Sequence, residues 1–348
     1  MAVASRLCIG KEGPLAHIGA IWGAAACYIP GLGFEFLRND EFKRQIIAAG
    51  GSAGVSAAFG APIGGTLFAY EMSKPTVFWT FEMIWKTFTC CSVAVLVLAV
   101  LQTLASGNVT DGFRGSTIKF GDAIANDKIE NTYQVFPAAA VIGIIGGLLG
   151  ALFIDVNTRM NALRKRLLTT AAIKPIETAM WSFCTGFVFI LAPYAIYVSN
   201  PDICKESSTL TEESKLITYQ GWCAEGQYDP NASIFWSSEG GIIKNIINDN
   251  VKITALNQFY FLIVWYFFTI TTYGTNVPAG LFLPGMIIGC ALGASVFSAA
   301  DYIGAVSYGT DEEKQALTRS YVILACGGFM AGYTRMTYSL AVILMETS

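Results

Sequence analysis

IGKEGPLAHIG, residues 9–19, sets Lys11, Glu12 and the chain's single histidine, His17, between glycines, a proline and apolar residues. The surrounding chain of 348 residues is 53% hydrophobic and 14% charged, where soluble globular chains carry about 25% charged residues. Its mean hydropathy is +0.50. Such a chain belongs in lipid, and an acid inside a membrane is costly enough to mark a functional site. The net charge of −3 argues against nucleic acid as a partner.

Working outward, apolar runs cover roughly 14–33, 44–70, 77–105, 134–157, 177–199, 256–273, 280–306 and 320–346. A full crossing takes about 20 apolar residues. Several runs are broken by Gly and Pro, at GAPIGG (60–65), Pro278 and Pro284. A helix that stops inside a membrane leaves backbone groups that only protein or a polar cavity can satisfy. Broken helices therefore point to a pathway across the bilayer. Overlapping GxxxG spacings at Gly143/Gly147 and Gly146/Gly150, a ladder at Gly285, Gly289 and Gly293, and Gly60/Gly64 read as close helix packing.

Charge sets the expected orientation. The connection 158–176 carries Arg159, Arg164, Lys165, Arg166 and Lys174 and reads as cytoplasmic. Loop 200–252 is acid-rich and holds the sequon Asn231-Ala232-Ser233 with Cys204 and Cys223. Loop 106–133 holds a second sequon at Asn108. Both loops are expected outside the cytoplasm, with Asn108 and Asn231 as candidate glycosylation sites. Cys204 and Cys223 are candidates for a disulfide if their loop faces an oxidising compartment. The other seven of the nine cysteines lie in apolar surroundings, and no CxxC spacing suggests a metal site. No metal or cofactor is expected.

Gly10-Lys11-Glu12-Gly13-Pro14 and Gly280-Leu281-Phe282-Leu283-Pro284 share the pattern G-x-x-x-P, and each precedes an apolar helical run. Proline suits a first helical turn, where its missing N–H had no partner to lose. Each segment can aim a helix N-terminus, carrying about +0.5 of an elementary charge, at an anion. Gly10, Lys11, Glu12, Gly13, Pro14, Gly280, Leu281, Phe282 and Pro284 are the candidate anion-binding residues, with Glu12 as a gate. A glutamate paired with Lys11, or one capping its helix, is the plainer alternative.

The longer strings GKEGPLAHIG, GSAGVSAAFGAPIGGTLFAYE, GTNVPAGLFLPGMIIG and GYTRMTYSLAVILME occur in this order over nearly the whole chain. Together they resemble the CLC family of chloride channels and chloride/proton exchangers. GWCAEGQYDP and STIKFG look closest to its intracellular, lysosomal and vacuolar branch. The resemblance implies an all-α polytopic membrane domain of inverted repeats, with broken, tilted helices meeting at mid-membrane. It implies a homodimer in the lipid bilayer with one pore per subunit, moving chloride or other small anions, and protons in the exchangers. Residues 1–105 are then the remainder of the first repeat, 106–133 an extracytoplasmic loop and 134–348 the second repeat. The family's serine-bearing motif would precede Met1, and its pore tyrosine and regulatory CBS domains would follow Ser348, so a truncated chain is expected.

The same resemblance makes Glu12 the gate and the amides of Leu281 and Phe282 the lining of the central anion site. Ionised, Glu12 would occupy an anion position; protonated, it would lose that attraction and swing away. The family's exchangers often end the APIGG helix with two acids, the second of which relays protons. Here Glu71 matches the first, and Met72 stands at the relay position and cannot carry a proton. The position favours a passive chloride channel, while the branch favours an exchanger. A polytopic membrane enzyme using Glu12 and His17 and a non-conducting truncated subunit are the alternatives of other classes. No HExxH or GxSxG is present to support the first.

Overall fold

The computed structural model describes residues 7–29, 39–74, 79–106, 132–170, 172–207, 215, 217–247 and 253–347. The expected loop 106–133, with Asn108, lies almost wholly outside the described residues. Helices dominate: α1 (Glu12–Ala26), α2 (Asp40–Phe59), α3 (Pro62–Ser73), α4 (Phe81–Ser106), α5 (Val135–Leu167) and α6 (Ile173–Ser199). After a two-residue antiparallel pair, β1 (Lys205–Glu206) and β2 (Gln227–Tyr228), come α7 (Pro230–Trp236), α8 (Glu239–Ile247) and α9 (Ala255–Thr272). The chain continues through α10 (Phe282–Ile303), α11 (Asp311–Thr334) and α12 (Tyr338–Thr347). Four of these, α4, α5, α6 and α10, are long and apolar enough to cross a membrane.

Two expected spans are each two helices. The run 44–70 breaks where Gly60 takes φ 73° and caps α2, and Pro62 starts α3 in its first turn. Glycine adopts this left-handed conformation without a Cβ penalty, and proline restarts a helix where no N–H is needed. The run 320–346 breaks at Arg335, held at φ 56° as the cap of α11. No glycine or proline announces that second break.

The residues fall into two compact units: Met1–Gly10, Phe120–Val277 and Leu281–Arg335 form one, and Lys11–Lys119, Pro278–Gly280 and Met336–Ser348 form the other. Packing thus groups the chain differently from its order. In the unit that contains Lys11–Lys119, α1 lies backbone to backbone on α2. A Cβ on Gly19, Gly50 or Gly54 would run into the facing main chain, and one on Gly23 would come 2.7 Å from the Ile46 carbonyl. In the unit that contains Leu281–Arg335, Gly146 and Gly150 of α5 face the backbone of α11 at Phe329 and Gly332. Gly289 and Gly293 of α10 face α11 at Cys326 and Tyr321. Gly143 and Gly147 would meet nothing within 4 Å. Both spacings face α11, since a Cβ on its Gly328 or Gly332 would come 3.5 Å from the Gly143 Cα or 3.1 Å from the Gly147 Cα, but only Gly146 and Gly150 have no room for a Cβ of their own.

The acid-rich segment 200–252 is largely folded. Cys204 and Cys223 are joined as a disulfide. Trp222 packs between Tyr194 and Trp236, with ring centroids 5.1 and 5.2 Å away. Ile234, Ile242, Ile243, Ile246 and Ile247 are buried. Asp229 caps α7 by accepting from the amides of Asn231 (2.8 Å) and Ala232 (3.2 Å). Burial nevertheless pushes its carboxyl pKa up, the two amides pulling the other way. This cap draws the sequon into a helix: Asn231 is 3% exposed and Ser233 0%.

Two carboxylates tie α3 to α12. Glu71, near the end of α3, accepts from the amides of Thr337 (3.4 Å), Tyr338 (3.1 Å) and Ser339 (3.2 Å) and from the Ser339 hydroxyl. Glu346, near the end of α12, accepts from the amides of Ile63 (3.1 Å) and Gly64 (2.7 Å). Each helix thus caps the positive end of the other, which supplies partners for amides that have none within their own helix. Glu346→Ala should lower the unfolding free energy in detergent by about 1–2 kcal/mol, and Glu346→Gln by less, since one acceptor remains. Unfolding curves of both variants superimposing on the parent's would show that the reciprocal cap contributes nothing.

Candidate functional site

Glu12 opens α1 as its first helical residue, with Lys11 as the preceding cap. Its side chain is 4% exposed. The turn closes through the Leu15 amide donating to the Lys11 carbonyl at 3.1 Å, and Pro14 takes the third helical position. In the same unit Gly13 admits the backbone of Ala279: a Cβ at Gly13 would stand 2.6 Å from the Ala279 carbonyl oxygen. Across from it, a Cβ at Gly280 would overlap the Glu12 carboxylate and come 2.8 Å from the Gly13 nitrogen. The two G-x-x-x-P segments, 270 residues apart in their first glycines, therefore meet through Glu12, Gly13, Ala279 and Gly280. The glutamate lies against bare main chain because residue 280 has no side chain.

The other motif residues belong to the unit with α10. Gly10 is buried, and the carbonyl of nearby Cys8 accepts from the Thr272 hydroxyl at 3.3 Å. Leu281 is the cap of α10, and Phe282 is its first residue, 7% exposed. Pro284 stands third, as proline is suited to do. The Leu281 carbonyl accepts from the Gly285 amide and from the Tyr333 hydroxyl, each at 3.0 Å. Tyr333 sits in an aromatic cluster with Phe153 and Phe329, at centroid distances of 5.5 and 5.2 Å. The N-terminal turn of an apolar helix is thus fixed in place, with the positive end of its dipole at Leu281 and Phe282.

His17 is on an exposed face of α1 rather than packed. Met72 is 58% exposed. Glu71 beside it is engaged by the N-terminus of α12. No group of three or more His, Cys, Asp or Glu fit to hold a metal occurs among the described residues. Sequence reasoning missed Glu346, although an acid closing an apolar run was its signal. It also missed Tyr333, which carries no local mark of its role.

The model of the voltage gated chloride channel family matches residues 1–348. The human H(+)/Cl(-) exchange transporter 7 is 30% identical over all of this chain and 42% of its own length. Chloride channel protein C of Dictyostelium discoideum is 30% identical over 99% of this chain and 45% of its own. Chloride channel protein CLC-d of Arabidopsis thaliana is 28% identical over 99% and 44%. The chain thus spans less than half the length of these relatives. Among solved structures, that of a eukaryotic CLC transporter superposes with a TM-score of 0.60 at 21% identity, covering 99% of this chain and 47% of the other. That of a slow cyanobacterial Cl-/H+ antiporter gives 0.64 at 14%, covering 99% and 64%. The chain belongs to the voltage gated chloride channel family and has its all-helical, multi-pass membrane fold.

Proposed function

We propose that the protein carries chloride across a membrane as a homodimer, passively and under the control of Glu12. In this reading the amides at Leu281 and Phe282 hold the anion, and the Glu12 carboxylate competes for the same positive field. Lys11 adds positive potential near the gate. The observation that carries the gating role is the buried position of Glu12 against Gly280, a setting that favours an acid able to change its charge and place.

Passive conduction is favoured over exchange by Glu71 and Met72. Glu71 is committed to capping α12, which makes it a poor mobile proton carrier. Met72 has no titratable group. Exchange is the second reading, and relatives named H(+)/Cl(-) exchange transporter 7 favour it.

Flux from the full-length protein in liposomes separates these readings. An outward chloride gradient should drive chloride out without moving protons uphill. Proton uptake in fixed ratio to chloride would establish exchange instead, and no chloride flux at all would remove both readings. In the parent, chloride flux should rise as pH falls, by at most about tenfold per unit for a single proton. Glu12→Gln, which imitates the protonated acid, should be fast and flat with pH. Gly280→Ala should flatten the profile as well, by evicting the carboxylate from its seat. A parental pH profile in Glu12→Gln would end the gating assignment; one in Gly280→Ala would show that the seat does not matter.

A further inference from the structure

Charge patterning assigns Arg164 to a cytoplasmic loop, but the structure places it inside helix α5, 8% exposed, among groups that all belong to one unit. Its Nε donates to Glu177 Oε1 of α6 at 2.6 Å. One terminal nitrogen donates to Asn161 Oδ1 (3.1 Å) and to the Tyr273 carbonyl (3.0 Å). The other donates to the Thr271 carbonyl. Two turns earlier on α5, Asn157, 7% exposed, donates to the carbonyls of Ile270 (3.0 Å) and Tyr273 (2.9 Å). The Asn161 amide donates to Asn157 Oδ1 at 2.9 Å and orients it. The backbone then turns at Gly274, φ 94°, where a Cβ would overlap the Asn161 side chain.

These carbonyls end α9, and the last carbonyls of a helix have no intrahelical donor. Together they carry about half a negative charge. The stretch that follows leads within eight residues to Leu281, whose own carbonyl is held by Tyr333. An exposed negative helix end on the segment that delivers the anion-binding amides would oppose the anion. Here a buried guanidinium and a carboxamide cover it, and Glu177 holds the guanidinium in register.

We infer that Arg164, with Asn157, is a positioning residue for anion binding. It neutralises the C-terminus of α9 and fixes the connector through which Leu281 and Phe282 are presented, while Glu177 orients it. The inference rests on chloride transport through Leu281 and Phe282. Lysine keeps the charge but lacks the planar fork that reaches two carbonyls and a carboxylate at once. Arg164 itself touches no anion in this scheme.

The test is chloride flux and anion selectivity of the full-length protein in liposomes, with nitrate and thiocyanate as competing anions. Arg164→Lys and Arg164→Gln should raise half-saturating chloride by about five- to tenfold and lower the preference for chloride over thiocyanate, with Gln worse than Lys. Glu177→Gln should leave half-saturating chloride unchanged or lower it, because a negative charge is lost while Arg164 keeps its carbonyls. Arg159→Ala, which breaks only the exposed pair with Asp155, should behave as the parent. Should Arg164 variants fail to fold, Asn157→Ser carries the test, with a smaller shift in the same direction. Unchanged half-saturation and selectivity in the folded variants would overturn the inference, as would equal loss of affinity in Glu177→Gln, which marks a merely structural ion pair. If the parent moves no chloride, the transport reading fails and this inference falls with it; parental transport with indifferent variants refutes the inference alone.

Discussion

The arrangement depends on a carboxylate held out of water against a stretch of main chain that offers it no side chain. Glu12 reaches this position because Gly13 and Gly280 let two backbone segments from distant parts of the sequence come into contact. A Cβ on either would force the strands apart. A site of this kind needs stiff support, since small displacements of the dipoles that stabilise a charge change its energy steeply at short range.

That support comes from polar caps placed at helix ends rather than from polar side chains in the middle of helices. Glu71 and Glu346 serve two N-termini, Asp229 serves a third, and Arg164 with Asn157 serves a C-terminus. In water a frayed helix end is satisfied by solvent. Where water is scarce the protein has to supply the partner itself. Several of the few charged residues of this chain thus stand where backbone hydrogen bonding runs out.

Much of this was legible in the sequence, for identifiable reasons. GKEGP and GLFLP stand out because glycine and proline punctuate a helix start, and Lys11 and Glu12 contrast with their surroundings. Gly60 and Pro62 were visible as an interruption, though not as a complete break between α2 and α3. Arg335 gave no warning, because a left-handed arginine is fixed by the helices on either side and not by its own preference. The helices α7 and α8 were hidden by length and context: five buried isoleucines sit among acids whose composition reads as a loop. Arg164 was counted as a loop charge because its partners Thr271 and Tyr273 lie more than 100 residues away, and no local pattern records a contact of that span. The tightest helix pairing, α1 on α2, uses Gly19 and Gly23 against Gly50 and Gly54, a match that neither segment displays alone.

The mutual caps of α3 and α12 have a consequence for biosynthesis. Glu71 emerges from the ribosome 268 residues before Ser339, which it binds. At about 5–20 residues per second, that interval lasts on the order of tens of seconds. Throughout it, α3 resides in the nascent protein with its leading amides waiting for Glu346 and its terminal acid waiting for amides not yet made. A ribosome stalled before α12 is made would leave α3 without its partner, with two oppositely charged helix ends for quality control to detect.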